Sequence, residues 1–581
     1  MARLLAACRR CAAAWLLVGA LGCADSSGAT PTGTPGLLID LTPRPDRREL
    51  EVEIRVVGPR AAAISTLTIA RSWADLAGLD AIDDLRVSDG DGAITTRRID
   101  SKGADAEQRL DRSPRGELTL RYRVRSAASD ASQLALRVGA DRVTGVGHTF
   151  LLLPRLTQRI PARIRWHLEA LETPARAGAS PRNAPGGSVR SPDPSSGPGR
   201  PTAASAMSSF GVGGDVTADA TSDELAHAIY AAGSLGVIEG TGGTRLVHLG
   251  QTALEPAEVL RWSSGALAAA RRRFLGPMGA RAPSDDERLA VLLVPQPGLG
   301  PAHEGAFLRH AFGLWYDESR GFDAGLKIVI AHELIHRWIG EAVRLHDDGG
   351  RDVDWFSEGF TVHYARKILF DERWITAAEF LGDLERTTDG ADAARSSRDG
   401  YHRGALYAAT LDAALRDRGK IARSLDELLL ELIGRARAGA EDDGRMPIAA
   451  LRERVVRELD ADAGEEFDRV LLRKEAWPVP PPGAFGPCFD QKTEQTTEYE
   501  LGFDRSSLAG SPAILRGLVR GSAAERAGLR DGALVLTARL SEAPDKEVRL
   551  TVAGSGGSKQ IRYKPAAKRK KSRWRLRPCA R

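Results

Sequence analysis

His332, Glu333 and His336 stand in the run Ile330-Ala331-His332-Glu333-Leu334-Ile335-His336. Residues four apart on a helix leave the same face about one turn apart. Their two imidazoles can therefore reach one zinc ion through bonds of about 2.0–2.1 Å. Glu333 lies beside them, placed to take a proton from a water activated there. At average residue usage an HExxH run arises by chance in a chain of this length about 1% of the time. That weighs against the plain alternative, two histidines of a core. A catalytic zinc takes a third protein ligand and keeps one position open. Asp354-Trp355-Phe356-Ser357-Glu358-Gly359-Phe360-Thr361 follows the polar loop HDDGGRD. Glu358, at the start of the next helix, can supply the third ligand. Its plain alternative is a first-turn acid favoured by the helix dipole.

The elements that must position these residues are legible in outline. LKIVIAHELIHRWIGEAV is apolar on most sides and predicts a buried helix carrying both histidines. SDELAHAIYAAG (222–233) and PAEVLRWSSGALAAARRRFLG (256–276) have helical spacing, and RLAVLLVP (288–295) reads as a buried strand. From about Gly325 to Ala476 helices dominate, until WPVPPPGAFGP (477–487) stops them, because each proline removes a donor and fixes φ. Upstream, LEVEIRVVG (50–58) and GELTLRYRVRS (116–126) alternate apolar and polar residues, as half-buried strands do. Residues 172–206 are rich in Pro, Ser, Gly, Ala and Arg and predict a disordered linker. The chain after 488 is again β-like and Gly-rich.

VIAHELIHRWIGEAV and WFSEGFT together resemble the gluzincin metallopeptidases, whose ligands are the two histidines of HExxH and a downstream glutamate. The helix resembles the aminopeptidase N family. The 21 residues between His336 and Glu358 are more than that family places there. This gap and the WFSEGFT string are more similar to the glycyl aminopeptidase family. The resemblance implies one zinc per chain and a multidomain α+β fold. That fold has an N-terminal antiparallel β domain, a thermolysin-like, mostly helical zinc peptidase domain and a C-terminal PDZ-like β domain. Tyr401-His402-Arg403-Gly404-Ala405 resembles the YEKGA string of aminopeptidase N relatives. It implies that the Tyr401 hydroxyl donates to the oxyanion of the tetrahedral intermediate, a task suited to a fixed donor in a water-poor site. The G-x-M-E-N strand of those relatives is absent from the corresponding GPAHEGAFLRHAFGL (300–314), where Glu304 could meet a substrate amine. Exopeptidase and endopeptidase action both stay open. Leu501-Gly502-Phe503 resembles the carboxylate-binding loop of PDZ domains, and GSAAERAGLRDG (521–532) resembles a bacterial PDZ stretch. The resemblance implies capture of extended C-terminal peptides as an added strand.

The predicted organisation is a signal peptide (1–22), a tether (23–36), the β domain (37–171), the linker (172–206), the catalytic domain (207–480) and the PDZ-like domain with its basic tail (488–581). The first segment carries Arg3, Arg9 and Arg10, a short apolar run and small residues, as an exported chain does. Its ALGC ending resembles the lipobox of bacterial lipoproteins, which implies lipid on Cys23, a membrane anchor and residence in the cell envelope. Export leaves Cys488 and Cys579 as an even pair, expected to form a disulfide. The net charge of +5 is concentrated at the two ends, since KRKKSRWRLR (568–577) alone holds seven cations. The body is mildly acidic, so no nucleic-acid partner is expected, and the tail reads as a solvated end or a last edge strand. A peptide or protein substrate is the expected partner. The competing class is a non-catalytic envelope protein that captures peptides with its PDZ domain. A scaffold, however, has no use for Glu333.

Overall fold

The computed structural model describes the chain except residues 1–35, 71–78, 100–104, 129–131, 157, 172–203, 242, 277–288, 297–303, 309–310, 318, 320, 393–398, 439–443, 511, 542, 555 and 579–581. The predicted signal, the tether up to residue 35 with Cys23, most of the predicted linker, and Cys579 lie outside the described residues. Two compact units divide the chain, Met1–Val343 with Ile433–Gly444 and Arg344–Leu432 with Arg445–Arg581. No described helix is long and apolar enough to cross a membrane.

The first unit begins with the alternating strands expected from the sequence. Glu49–Val56 and Leu118–Arg125 pair antiparallel, with Leu50, Val52, Ile54, Leu120, Tyr122 and Val124 all buried. Leu37–Arg44 pairs antiparallel with Glu49–Val56 but parallel with Ile160–Trp166, so this seven-stranded sheet is mixed rather than purely antiparallel. The outward positions carry a lattice of opposite charges, including Arg121 with Glu53 and Arg163 with Asp215.

Two expectations are corrected here. The β region does not stop at residue 171. Asp215–Ala220 pairs with Ile160–Trp166, and Ile229–Gly233 pairs with Arg142–Val146. The low-complexity stretch is therefore an insertion within these sheets and not the border before a catalytic domain. The segment 222–233 is also not one helix. Ser222–His227 is helical, closed by a capping box of Thr221 and Glu224, and Ile229–Gly233 is a strand buried along its whole length. A five-residue apolar run fits either period, and pairing on both edges decides for the strand.

Beyond it lies a five-stranded sheet ordered Leu235–Glu239, Thr244–Leu249, Leu289–Gln296, Ala311–Asp317, Glu304–Leu308. Its middle strands run parallel, and Leu289–Gln296 and Ala311–Asp317 read as nearly continuous apolar residues, as strands covered on both faces do. The last strand, Glu304–Leu308, is antiparallel to its one neighbour in the sheet and forms its edge. The predicted helix Pro256–Leu275 forms as expected, and its Phe274 stacks on Trp338 at 5.4 Å.

The second unit is helical and then β. Helices Thr361–Asp371, Ala377–Asp392 and Asp399–Arg418 pack together. The ion pair of Arg366 with Asp383 (2.7 Å) is buried between the first two, and the arginine holds that carboxyl below its usual range against the opposing effect of burial. The proline-rich stretch ends the helices. After it, Phe489–Tyr499 pairs antiparallel with Ala566–Leu576, so the basic tail is a last strand and not a loose end. Trp574 meets Phe485 at 4.8 Å, and Phe489 packs on Phe380 at 4.7 Å, which docks this ribbon on the helices. Cys488 is disulfide-bonded.

Candidate metal centre

The histidine helix, Ala324–Ile335, starts at Asp323, whose carboxylate accepts from the Leu326 N–H (2.9 Å). Leu326, Ile330, Ala331, Leu334 and Ile335 are all buried, so the helix is fixed by packing on most sides. The helix is shorter than LKIVIAHELIHRWIGEAV implied. It ends at Ile335 with His336 as its cap, and the chain turns back through Gly340 at φ 109°. The apolar run beyond His336 still packs, with Trp338, Ile339 and Val343 buried, but as a turn.

That turn has a chemical consequence. It brings the Ile339 carbonyl to 3.1 Å from His336 Nδ1. A carbonyl can only accept, so Nδ1 carries the proton and Nε2 is left as a lone pair. His336 Nε2 lies 3.0 Å from His332 Nε2. With the His336 proton on Nδ1, this separation also suits two lone pairs sharing one metal ion. A tetrahedral zinc with bonds of about 2.0–2.1 Å holds its ligand atoms about 3.3 Å apart, close to what is found.

Glu358 arrives by a different route. Asp347 opens the polar loop by accepting from the Arg351 N–H (2.9 Å), and that hydrogen bond, reinforced by the Arg351 side chain, keeps its carboxyl below the usual range. The residues Trp355–Phe360 then wind as a π-helical turn, not as the first turn of an α-helix. Such turns are rare and recur at functional sites. Trp355, Phe356 and Phe360 are buried, with Trp355 edge-on to Phe467 at 5.6 Å. Asp354 has its carboxyl raised, first by desolvation and then by the charge of Glu358. The ligand atoms of His332, His336 and Glu358 all lie within 4.8 Å of one another, a grouping that no other described residues repeat. Two neutral nitrogens and one carboxylate, partly shielded from water, fit a catalytic zinc.

Two further residues bear on the chemistry. Glu333 is buried beside its ligand neighbours, under the edge strand Glu304–Leu308. Tyr401 lies half-buried in the first turn of Asp399–Arg418. Three residues on, a side chain at Gly404 would overlap the Trp355 carbonyl oxygen, and one at Gly359 would overlap Gly404 Cα. The tyrosine helix and the π-helical turn therefore touch backbone to backbone, which only glycine permits. Arg403 anchors the tyrosine helix. Its buried guanidinium donates to the Val470 (2.9 Å) and Ala476 (2.6 Å) carbonyls and lies over Trp477 at 4.0 Å. Sequence reading named Tyr401 and passed over Arg403 and Gly404, which carry no chemistry themselves.

The C-terminal residues read as a peptide-binding loop are largely internal. Leu501 and Phe503 belong to the core of this β region. The Leu501 carbonyl accepts from the Tyr563 hydroxyl (2.6 Å), and the Gly502 carbonyl from the Val519 N–H (2.8 Å). Gly502, at φ 83°, is pressed against Ser522 and Ala524 of the GSAAER string. The described residues between the strands Val535–Arg539 and Val548–Gly554 form a loop without a helix.

No family model matches the chain, and no curated protein does. Among solved structures, the chain is similar to an aminopeptidase N family protein from Idiomarina loihiensis at TM-score 0.61 and 13% identity, covering 93% of this chain and 98% of that one. A weaker likeness is to yeast LTA4 hydrolase bound to bestatin, at TM-score 0.45 and 11% identity, over 78% of this chain and 71% of that one. The fold is thus a mixed α+β one of the aminopeptidase N kind, β-rich at the N-terminus and helical beyond.

Proposed function

We propose that this chain is a zinc-dependent peptidase of the aminopeptidase-like gluzincin class. The observation that carries the reading is the convergence of His332, His336 and Glu358, with the His336 tautomer fixed for ligation. Those three residues would hold the ion, and zinc when bound supplies a Lewis acid that polarises the scissile carbonyl and makes water more acidic. Glu333 takes the proton of the attacking water on its carboxylate and returns it to the leaving amine. Tyr401 donates its hydroxyl proton in a hydrogen bond to the oxyanion, an interaction that strengthens only as the carbonyl becomes tetrahedral. The WFSEGFT string and the longer spacing favour the glycyl aminopeptidase branch. We place the enzyme in the cell envelope, anchored by lipid on Cys23, on the strength of its N-terminal sequence, and pair Cys488 with Cys579.

A peptide library incubated with zinc-loaded and chelator-treated protein tests the reading. Cleavage that appears only with zinc is expected, and mapping the new N-termini separates removal of terminal residues from internal cuts. Peptide binding without any cleavage would favour the non-catalytic class instead.

A further inference from the structure

Gly305 sits inside the edge strand Glu304–Leu308, paired with Leu314. Glycine within a strand is destabilising relative to alanine, and it commonly marks a place where something approaches closely. Gly305 is not among the residues of positive φ, so its backbone does not require glycine. Space is the remaining reason. A Cβ on Gly305 would overlap Glu333 Oε1 and lie 2.5 Å from Cδ and 2.7 Å from Cγ. The volume an alanine methyl needs is filled by the carboxylate and stem of Glu333.

We propose that Gly305 is a positioning residue for Glu333, its missing side chain letting the edge strand close over the carboxylate and hold it in one pose beside the zinc ligands. The proposal rests on the reading of Glu333 as the general base. The strand acts as a wall, and its closeness restricts the rotamers of Glu333 from the side opposite its own helix. A residue with a side chain at 305 pushes the carboxylate away while leaving His332 and His336, held by their own helix and its turn, where they are. Displacing a reacting group by about 1 Å can cost about 100-fold in rate.

A double-mutant cycle on the metal-free full chain tests the contact without any activity. Gly305→Ala should lower the unfolding midpoint in the native background. In the Glu333→Ala background, which removes Cγ, Cδ and Oε1, it should lower it little or not at all. Equal losses in both backgrounds would overturn the proposal. If Gly305→Ala alone fails to fold, recovery of folding in the double variant supports it equally, and no recovery overturns it. In the zinc-loaded protein, Gly305→Ala should keep its zinc content and a KM within a few-fold of the native value, while kcat falls about 100-fold. An unchanged kcat in an active enzyme overturns the positioning role. A coupled cycle with a native protein that cleaves no peptide keeps the contact and removes the catalytic reading, so the two failures are distinguishable.

Discussion

The two segments that meet at the proposed zinc site are built on opposite principles. His332 and His336 are set by one helix and the turn that ends it, and the polar contacts of the His336 ring with Ile339 and His332 lie within four residues of it. Glu358 sits in a π-helical turn whose course is dictated from outside, by Gly404 against the Trp355 carbonyl and by Phe467 against the Trp355 ring. Local geometry repeats wherever the same residues recur, so the histidine motif can be read from a sequence. A turn held by tertiary contact has no such local geometry, and its ligand is named by the resemblance of the WFSEGFT string and by what the histidines still lack. The two segments should therefore fail differently. The first fails through its own residues and the second through residues far along the chain.

Changes to the histidine helix should have the largest effect. His336→Ala should lose most of the bound zinc and with it the hydrolysis, as metal analysis and turnover would record. Glu333→Gln should keep the zinc and lower kcat about 1,000-fold or more, since the base is lost while the ligands stay. Persistence of near-stoichiometric zinc in His336→Ala would remove the assignment of the centre.

Next comes the distant control of Glu358. Gly404→Ala touches no ligand, yet its methyl has nowhere to go except into the Trp355 carbonyl. Overpacking of this kind costs about 1–3 kcal/mol of stability. The forced separation should lower kcat about 100-fold at saturating zinc. Full turnover in Gly404→Ala would mean that the π-helical turn is held by some other contact, and the contrast between the segments would weaken. Tyr401→Phe, on the same helix, removes one donor and leaves the packing intact. A loss of about 100-fold in kcat with little change in KM is expected.

How much could be read beforehand follows the same division. Pro256–Leu275, Leu289–Gln296 and the strands around Val52 and Leu120 have clear periods or clear lengths and appear where expected. Ile229–Gly233 departs from the helical spacing of its segment because a short buried run has no period of its own. The end of the histidine helix is hidden in the sequence because Trp338, Ile339 and Val343 stay apolar after the helix stops, and only Gly340 announces the turn. The site residues with charges or lone pairs were visible by type. Gly305, Gly404 and Arg403 were not, because their value lies in contacts with residues distant in sequence.

The smallest expected effect falls on the local segment. Gly340 holds φ 109°, a conformation that side-chain-bearing residues rarely adopt, and its N–H donates to the Val343 carbonyl (2.9 Å). Alanine there is strained by about 1–3 kcal/mol. Rotation about the Gly340 φ relieves that strain and turns the preceding peptide, which is the one that carries the Ile339 carbonyl. His336 Nδ1 then loses its acceptor, and the Nε2 lone pair is no longer held toward the metal. Loss of such an outer partner typically weakens metal binding 10- to 100-fold. Because a water can replace the carbonyl at this half-buried ring, the lower end, about 10-fold, is expected for Gly340→Ala. Competition with a zinc chelator would measure it, and kcat at saturating zinc should stay within a few-fold of native. If the unfolding midpoint drops while zinc affinity is unchanged, the carbonyl does not set the tautomer, and the histidine segment is less self-contained than its hydrogen bonds imply.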